Sequence, residues 1–242
     1  SGLDVETVRC DVRDLPAVDS AVRSCEQVVH LAAIYSLWMK DWRTLYQVNV
    51  QGTVNVLRAC EDAGVHRIVY TSSIAAVGLR ADGRASDEED EFNLHAAVPH
   101  YSRSKVEAER AAWRAVAAGA PVVIVNPAFP FGEGDRRPTP TGRMLLRVLS
   151  GRWSATGPGG LNVVDVEDVA RGHVLALDRG QVGRRYILGG TNTSYHEFFV
   201  AVKRLAGSRR PHVQAPAWAT RAAGRVGDVV ARWGEPLIDS PT

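Results

Sequence analysis

The chain has 242 residues, of which 45% are hydrophobic and 23% are charged, with a formal net charge of +2 at pH 7. These values predict one large globular domain or one domain with a small appendage, and they exclude a disordered chain, a collagen-like repeat and a coiled-coil rod. The small net charge argues against nucleic acid as a partner. The sequence has neither an apolar stretch of spanning length nor a signal-peptide pattern at its start, so we expect no membrane partner and a cytoplasmic location.

Cysteine and lysine are both scarce. The three cysteines, Cys10, Cys25 and Cys60, are too few and too scattered to predict a disulfide framework or a zinc site, and we expect no metal. Only three of the 29 basic residues are lysines, at positions 40, 105 and 203. The position of each lysine is therefore more informative than that of an arginine in this sequence.

Short β-branched runs alternate with longer amphipathic segments along the chain. The first half predicts strands at 5–9, 27–31, 67–71 and 121–125, and helices at 15–24, 41–62 and 99–118. The second half predicts strands at 161–164 and 185–188, and helices at 142–150, 167–178, 195–206 and 217–233. The acidic run 87–91 is interpreted as a solvated loop.

This alternation predicts an α/β fold with a doubly wound parallel sheet and right-handed crossovers. We expect residues 1–126 to form the core and residues 127–242 to form mostly a smaller substrate-binding lobe. Within that second half, we expect 161–178 to return to the core. Ligands bind such sheets beyond the carboxyl ends of the strands, so the residues just after each strand are the candidates for a site.

Tyr101 and Lys105 carry the strongest chemical signal. They are four residues apart, so they share one face of the predicted helix 99–118, which follows a strand ending in Thr71-Ser72-Ser73. A phenol has an ordinary pKa of about 10, and an ammonium one turn away favours its ionised form. Tyr101 could then exchange a proton with a carbonyl or alcohol oxygen, and a strand-end serine could hydrogen-bond to the same oxygen.

Several motifs in order resemble the extended short-chain dehydrogenase/reductase family. The similarity is to its epimerase/dehydratase branch, and within it to hopanoid-associated sugar epimerases and dihydroflavonol-reductase-like enzymes. The matching runs are CDVRD (10–14), HLAA (30–33), NVQGT (49–53), VYTSS (69–73), YSRSK (101–105), NPAFPFGEGD (126–135) and VDVEDVA (164–170). The resemblance covers most of residues 4–235 and implies a Rossmann-like core.

The resemblance also implies roles for particular residues. It implies that Ser73, Tyr101 and Lys105 are catalytic and that NAD or NADP is the cofactor. The residues implied to contact the cofactor are Asp11, Val12, His30, Leu31, Ala32, Ala33, Asn49, Thr71, Ser72, Tyr101, Lys105, Asn126, Pro127 and Phe129. Substrate candidates are Trp38, Phe131, Arg143 and Trp153, for which lobe packing or surface exposure is the alternative. The family further implies a homodimer through helices 41–62 and 99–118, acting on a small-molecule substrate.

Two of the implied cofactor residues have an alternative interpretation. His30 ends an apolar strand, where a packed histidine is the simpler interpretation. Asn49 lies mid-helix, where a buried structural hydrogen bond competes with a role beside Lys105.

The start of the sequence departs from the family pattern. The Gly-x-x-Gly-x-x-Gly turn that holds a pyrophosphate is not found in the sequence, which begins as if in the loop before the family's third strand. We expect a fragment of a longer protein, a sheet completed by a partner or a rearranged edge, or a shortened relative.

Three functions follow. The first is an NAD(P)-dependent oxidoreductase or epimerase acting on a secondary alcohol or ketone of a nucleotide sugar or a bulkier molecule. The alternatives are a cofactor-independent isomerase, cyclase or dehydratase, and a non-catalytic subunit completed by a partner chain.

Overall fold

The computed structural model describes residues 5–36, 39, 41–94, 98–208 and 211–219. Its contacts divide the chain into two compact units. Unit 1 comprises Ser1–Ile34, Lys40–Pro127 and Arg171–Ile187, and unit 2 comprises Tyr35–Met39, Ala128–Ala170 and Leu188–Thr242. The segment that returns to unit 1 is thus Arg171–Ile187, and not the expected 161–178.

The elements follow the chain in this order. The strands are β1 (Gln27–His30), β2 (Arg67–Thr71), β3 (Val122–Pro127), β4 (Phe129–Phe131), β5 (Ala155–Thr156), β6 (Gly160–Asp165), β7 (Arg185–Leu188), β8 (Thr191–Ser194) and β9 (Val213–Gln214). The helices are α1 (Leu15–Val22), α2 (Trp42–Tyr46), α3 (Gly52–Asp62), α4 (His100–Ala117), α5 (Pro140–Leu149), α6 (Val166–Arg179) and α7 (Tyr195–Leu205).

A four-stranded sheet in the order β1-β2-β3-β7 forms the centre of unit 1. The pairs β1–β2 and β2–β3 are parallel, with Val29 opposite Val69 and Val69 opposite Val123. Strand β3 is buried over five consecutive residues, as expected for a parallel strand covered on both faces. The carboxyl ends of these three strands therefore lie on one edge of the sheet.

Helices α1, α3 and α4 contribute to the largest apolar cluster of unit 1. Ala108 and Ala112 of α4 are fully buried against Ile68, Val122 and Ile124 of the strands. Small side chains on the inner face of α4 let the helix approach the sheet closely. Burial of each large aliphatic side chain in this cluster contributes about 1.5–3 kcal/mol, which stabilises the sheet and the helices packed on it.

The predicted helix 41–62 is interrupted by a π-helical turn. Helix α2 is followed by a π-helical segment, Gln47–Gln51, and then by α3. Asn49 lies in this turn and uses its side chain to bind the backbone of Ile34, while the Thr53 hydroxyl donates to the Asn49 carbonyl at 2.7 Å. Single π turns inside helices are frequent at functional sites.

Unit 2 contains a three-stranded sheet in the order β4-β6-β8 and a short β5–β9 pair. Strand β6 is parallel to β4 and antiparallel to β8. Helix α7 begins with a capping box made by Ser194 and Glu197, and it buries Phe199 almost completely. Strand β6 belongs to this sheet of unit 2. The expected segment 161–178 therefore starts before the chain returns to unit 1 at Arg171.

Most predicted elements of the first half are present, but residues 5–9 are not a strand. They are exposed, and no strand pairs with them among the described residues. A strand needs a hydrogen-bonded neighbour, so the β-branched pattern alone is insufficient here. The predicted helix 217–233 lies outside the described residues except for 217–219. The part of the chain that the structure describes contains no helix with the length and hydropathy needed to cross a membrane.

Candidate active site

Lys105 is a buried cation in the first half of α4. Its side chain enters the carboxyl edge of the sheet, where Nζ donates to the Thr71 carbonyl oxygen at 2.8 Å and lies 5.1 Å from the Tyr70 ring centre. The residue is only 3% exposed. Burial lowers the pKa of Lys105 to about 8, although the negative charge of Glu109 opposes this shift.

Tyr101 lies one helical turn before Lys105 and is hydrogen-bonded to the Ser73 side chain. Burial raises the pKa of the Tyr101 phenol, and the Ser73 hydrogen bond lowers it. The structure therefore places the strand-end serine and the helix tyrosine within hydrogen-bonding distance of each other.

Ser73 is held on both its side chain and its backbone. Its hydroxyl accepts a hydrogen bond from the Ala75 amide at 3.1 Å and so caps a short 3₁₀ turn, Ile74–Ala76. Its carbonyl accepts from Asn126 Nδ2 at 2.9 Å. Asn126 is the next-to-last residue of β3 and is completely buried. The serine is therefore fixed between the ends of β2 and β3.

Glu109 is a component that the sequence analysis missed. Its carboxylate is buried on the same face of α4 as Tyr101 and Lys105, eight and four residues earlier. It accepts hydrogen bonds from Ser72, Asn126 and Arg185. Its spacing of four residues from Lys105 was the available signal, since it places a charge on the buried face of the helix.

The other predicted cofactor residues of unit 1 lie mostly at the same edge of the sheet. His30 and Thr71 end β1 and β2, Ser72 follows β2, and Pro127 ends β3. The run from Leu31 to Ala33 follows β1 and is exposed. The exposed backbone of this run is accessible to a ligand bound across the strand ends.

Asp11 and Val12 lie in a loop before α1. Asp11 is exposed and accepts two hydrogen bonds from the Arg13 guanidinium, at 2.6 and 3.1 Å, on one carboxylate oxygen. The Arg13 hydrogen bonds lower the pKa of Asp11 to about 2, so it is ionised. The Val12 carbonyl accepts from Asn55 Nδ2 at 2.9 Å, which ties this loop to α3.

His30 and Asn49 both have structural partners. His30 Nε2 lies 3.0 Å from the Thr53 hydroxyl, and burial lowers the pKa of His30 to about 4, which keeps the ring neutral. Asn49 Nδ2 donates to the Ile34 carbonyl at 3.0 Å and to Ser104 Oγ at 2.9 Å. These contacts favour the packed interpretation of His30 and the structural interpretation of Asn49.

The remaining candidates belong to unit 2 or lie outside the described residues. Phe129 and Phe131 are in β4, and the Phe131 ring lies 5.1 Å from Phe198. Arg143 is on α5, and Trp153 packs edge-on against Phe199 with 6.3 Å between ring centres. Trp38 is outside the described residues. No group of three metal-ligating side chains comes together within the described ranges.

Comparison with known proteins identifies the family to which the chain belongs. The chain belongs to the 3-beta hydroxysteroid dehydrogenase/isomerase family, whose sequence model matches residues 1–212. It is 42% identical over 201 residues to a putative dihydroflavonol 4-reductase of Synechocystis sp.. That match covers 81% of this chain and 59% of the relative, so the chain spans less than two thirds of the relative's length.

Two solved structures have a similar fold. A crystal structure of gox2253 is 39% identical with a TM-score of 0.87, and the match covers 96% of this chain and 71% of that one. A nucleoside-diphosphate-sugar epimerase from Pseudomonas aeruginosa is 25% identical with a TM-score of 0.78, covering 96% and 72% of the two chains. The predicted Rossmann-like fold and family resemblance are confirmed.

Proposed function

We propose that the protein is an NAD(P)-dependent oxidoreductase that interconverts a secondary alcohol and a ketone of a small molecule. The observation that carries this proposal is the meeting of Ser73, Tyr101 and Lys105 at the carboxyl edge of the parallel sheet. Membership of a dehydrogenase family and the likeness to a reductase and an epimerase support the same class of reaction.

Tyr101 is the proposed proton donor and acceptor. In reduction, its phenol gives a proton to the carbonyl oxygen of the substrate, and in oxidation its phenolate takes the proton from the alcohol. Lys105 lies one turn along the same face of α4, and its positive charge favours the phenolate form of Tyr101 in this proposal. The Ser73 hydrogen bond opposes the rise that burial causes in the pKa of Tyr101. Ser73 donates a hydrogen bond to the same substrate oxygen and stabilises its developing charge.

The residues at the strand ends fit a nicotinamide cofactor. Lys105 uses one of its three donors on Thr71, so the ammonium can also bind a ribose hydroxyl. The buried Oδ1 of Asn126 has no hydrogen-bond partner and can accept one from a bound group. Exposed Asp11 can accept from an adenine amine. When bound, the nicotinamide supplies or accepts the hydride.

Titration with NADH and NADPH, followed by nicotinamide fluorescence, tests the cofactor. We expect saturable binding of at least one of them at micromolar concentration by the folded chain. A folded chain that binds neither would contradict the proposal and would favour a cofactor-independent isomerase, cyclase or dehydratase. A mass measurement that finds a second kind of chain in the complex would favour a non-catalytic subunit.

Replacement of Tyr101 tests the chemistry. We expect Tyr101→Phe to lower kcat by a factor of about 100 or more, since general acid–base catalysis contributes 10²–10⁴-fold. The dissociation constant for the nicotinamide should change less than threefold. Tyr46→Phe, which removes a partly exposed hydroxyl of α2, is the control and should retain full turnover. Full activity of Tyr101→Phe would exclude the proposed role.

We further propose a homodimer that pairs through residues 41–62 and 99–118.

The substrate lobe of unit 2 would present an apolar surface that includes Phe129, Phe131 and Trp153. Such a surface suits a bulky apolar ketone better than a small hydrophilic one.

A further inference from the structure

The carboxylate of Glu109 is the most heavily hydrogen-bonded buried charge on α4. Its Oε2 accepts from the Ser72 hydroxyl and from Asn126 Nδ2, the latter at 2.8 Å. Its Oε1 accepts from Arg185 Nη1 at 3.0 Å and from Trp113 Nε1 at 3.4 Å. Hydrogen bonds to both oxygens hold the Glu109 side chain in one orientation. Three of the donors come from the end of β2, from β3 and from β7.

Two of these hydrogen bonds lead directly to Ser73. Ser72 precedes it in the chain, so the Ser72 bond to Glu109 orients the peptide that enters Ser73. Asn126 Nδ2 donates both to Glu109 Oε2 and to the Ser73 carbonyl, so Glu109 also orients the amide that holds that carbonyl. The carboxylate therefore acts on the backbone of Ser73 from both sides.

Arg185 supplies the counterion and is itself fixed. Its guanidinium donates to the carbonyls of Glu88 and Asp90 at 2.6 and 2.8 Å, in addition to its bond to Glu109. The side chains of Arg185 and Glu109 are 9% and 5% exposed. Burying a carboxylate is costly unless it is paired and hydrogen-bonded. The ion pair with Arg185 offsets this cost at the place where Ser72 and Asn126 donate to Glu109.

We propose that Glu109 is a positioning residue that holds Ser73 beside Tyr101, with Arg185 as its fixed counterion. The inference rests on the proposed oxidoreductase function, in which Ser73 and Tyr101 act on the same substrate oxygen. Glu109 does not touch the substrate. Its effect on turnover passes through Ser73, and this distinguishes it from a glutamate that only stabilises the fold.

A double-mutant cycle on turnover tests this route. The variants of the full chain are Glu109→Ala, Ser73→Ala and the double variant, each compared at a temperature where it is folded. We expect Glu109→Ala to lower kcat about tenfold or more when Ser73 is present, with KM changed less than threefold. In the Ser73→Ala background the same change should lower kcat less than twofold. Equal losses in the two backgrounds would show a purely structural role and overturn the inference.

A second readout needs no turnover and no cofactor. Tyrosine labelled with ¹³C at Cζ gives six resonances, and that of Tyr101 is the one lost in Tyr101→Phe. Because Ser73 is hydrogen-bonded to Tyr101, Ser73→Ala should shift this resonance at pH 7. Glu109→Ala should shift it in the same direction by a similar amount. An unmoved Tyr101 resonance in folded Glu109→Ala would overturn the inference, even if the chain binds no nicotinamide.

Two further variants complete the design. Glu109→Gln keeps a carbonyl oxygen that can accept from Ser72 and Asn126, so it should recover at least threefold of the kcat lost in Glu109→Ala. If Glu109→Ala does not fold, Glu109→Leu, which fills a similar volume but offers no acceptor, replaces it in both experiments. Glu107→Gln makes the same chemical change on the exposed face of α4 and should leave kcat and the Tyr101 resonance unchanged. A loss in Glu107→Gln as large as that in Glu109→Gln would contradict a specific role for Glu109.

Discussion

The cation beside the proposed proton donor is held in an environment that opposes its charge. Lys105 is surrounded by the sheet edge, the Tyr70 ring and the Thr71 carbonyl, and Glu109 lies nearby as a negative charge. Desolvation is the larger effect, so the pKa falls to about 8. At neutral pH the group is still mostly protonated. Its positive charge can therefore stabilise a phenolate at Tyr101, although its own pKa lies only slightly above neutral pH.

The scarcity of lysine makes this shift measurable. Labelling with [¹³Cε]lysine gives three resonances, and that of Lys105 is the one lost in Lys105→Arg. We expect it to titrate near pH 8 in the cofactor-free chain, more than two units below the ordinary lysine value. A midpoint above 10 in the folded chain would contradict the burial of this side chain.

The same shift has a consequence for stability. The folded-state pKa of Lys105 is lowered, so between pH 8 and about 10.5 the unfolded chain binds more protons than the folded one. Lys105 therefore makes the free energy of unfolding rise with pH in this window, by about 3 kcal/mol at most. Urea unfolding at several pH values should show this rise in the wild type, and Lys105→Met should flatten it. Equal pH slopes for the two chains would contradict the linkage.

At the scale of an element, the loop that follows the 3₁₀ turn is bound to unit 1 by its acidic residues. Residues 87–91 form a loop, as predicted, but Glu88 and Asp90 are half-buried in it and are not fully solvated. Asp87 and Asp90 both pair with Arg80, Asp90 also gives its carbonyl to Arg185, and the Glu88 carboxylate accepts from the Ile187 amide at 2.9 Å. Glu89 and Glu91 are exposed, and the side chain of Asp87 is 47% exposed even in its ion pair with Arg80. The loop binds to unit 1 because two arginines, Arg80 and Arg185, contact its acidic residues and carbonyls. The sequence pattern does not reveal these contacts.

Closure of this loop depends on Gly78. Its amide donates to the Asp90 carbonyl at 3.0 Å, and a Cβ at position 78 would lie only 1.9 Å from the Glu91 carbonyl oxygen. Gly78→Ala must therefore displace backbone, so we expect it to lower the free energy of unfolding by about 1–3 kcal/mol. Hydrogen exchange of the amides of residues 78–93 should accelerate with it. Ala85→Ser, an exposed change in the same loop, is the control, and equal stabilities of the two variants would contradict the close approach.

For the whole molecule, patterns that depend on local burial were predictable from the sequence. Strand β2 has the predicted bounds because its apolar run is continuous and flanked by turn residues. Strand β7 is predictable for the same reason, although its neighbour β3 is far away in the chain. The expected strand at 5–9 is wrong because strand formation depends on a partner, which local pattern cannot supply. The role of Glu109 was not predictable, since its neighbours come from three distant segments.

The helices that position the candidate site also offer the surface for the proposed homodimer. The exposed side of α3 includes Val54, which is 36% exposed beside charged residues such as Arg58. The exposed side of α4 is mostly charged and includes Arg103, Glu107 and Arg110. Val54, surrounded by charges of both signs, suits a self-complementary contact, in which the same patch of two copies meets about a two-fold axis.

Sedimentation velocity over a range of concentrations tests this surface. We expect a reversible dimer, and we expect Val54→Arg to raise its dissociation constant about tenfold or more, because a buried arginine without a partner costs more than 1.4 kcal/mol at an interface centre. Val174→Arg is the matched control. Val174 is 57% exposed on α6, outside the proposed contact, so this variant should dimerise like the wild type. A monomeric wild type would contradict the proposed homodimer, and equal weakening by both substitutions would place the contact elsewhere on the molecule.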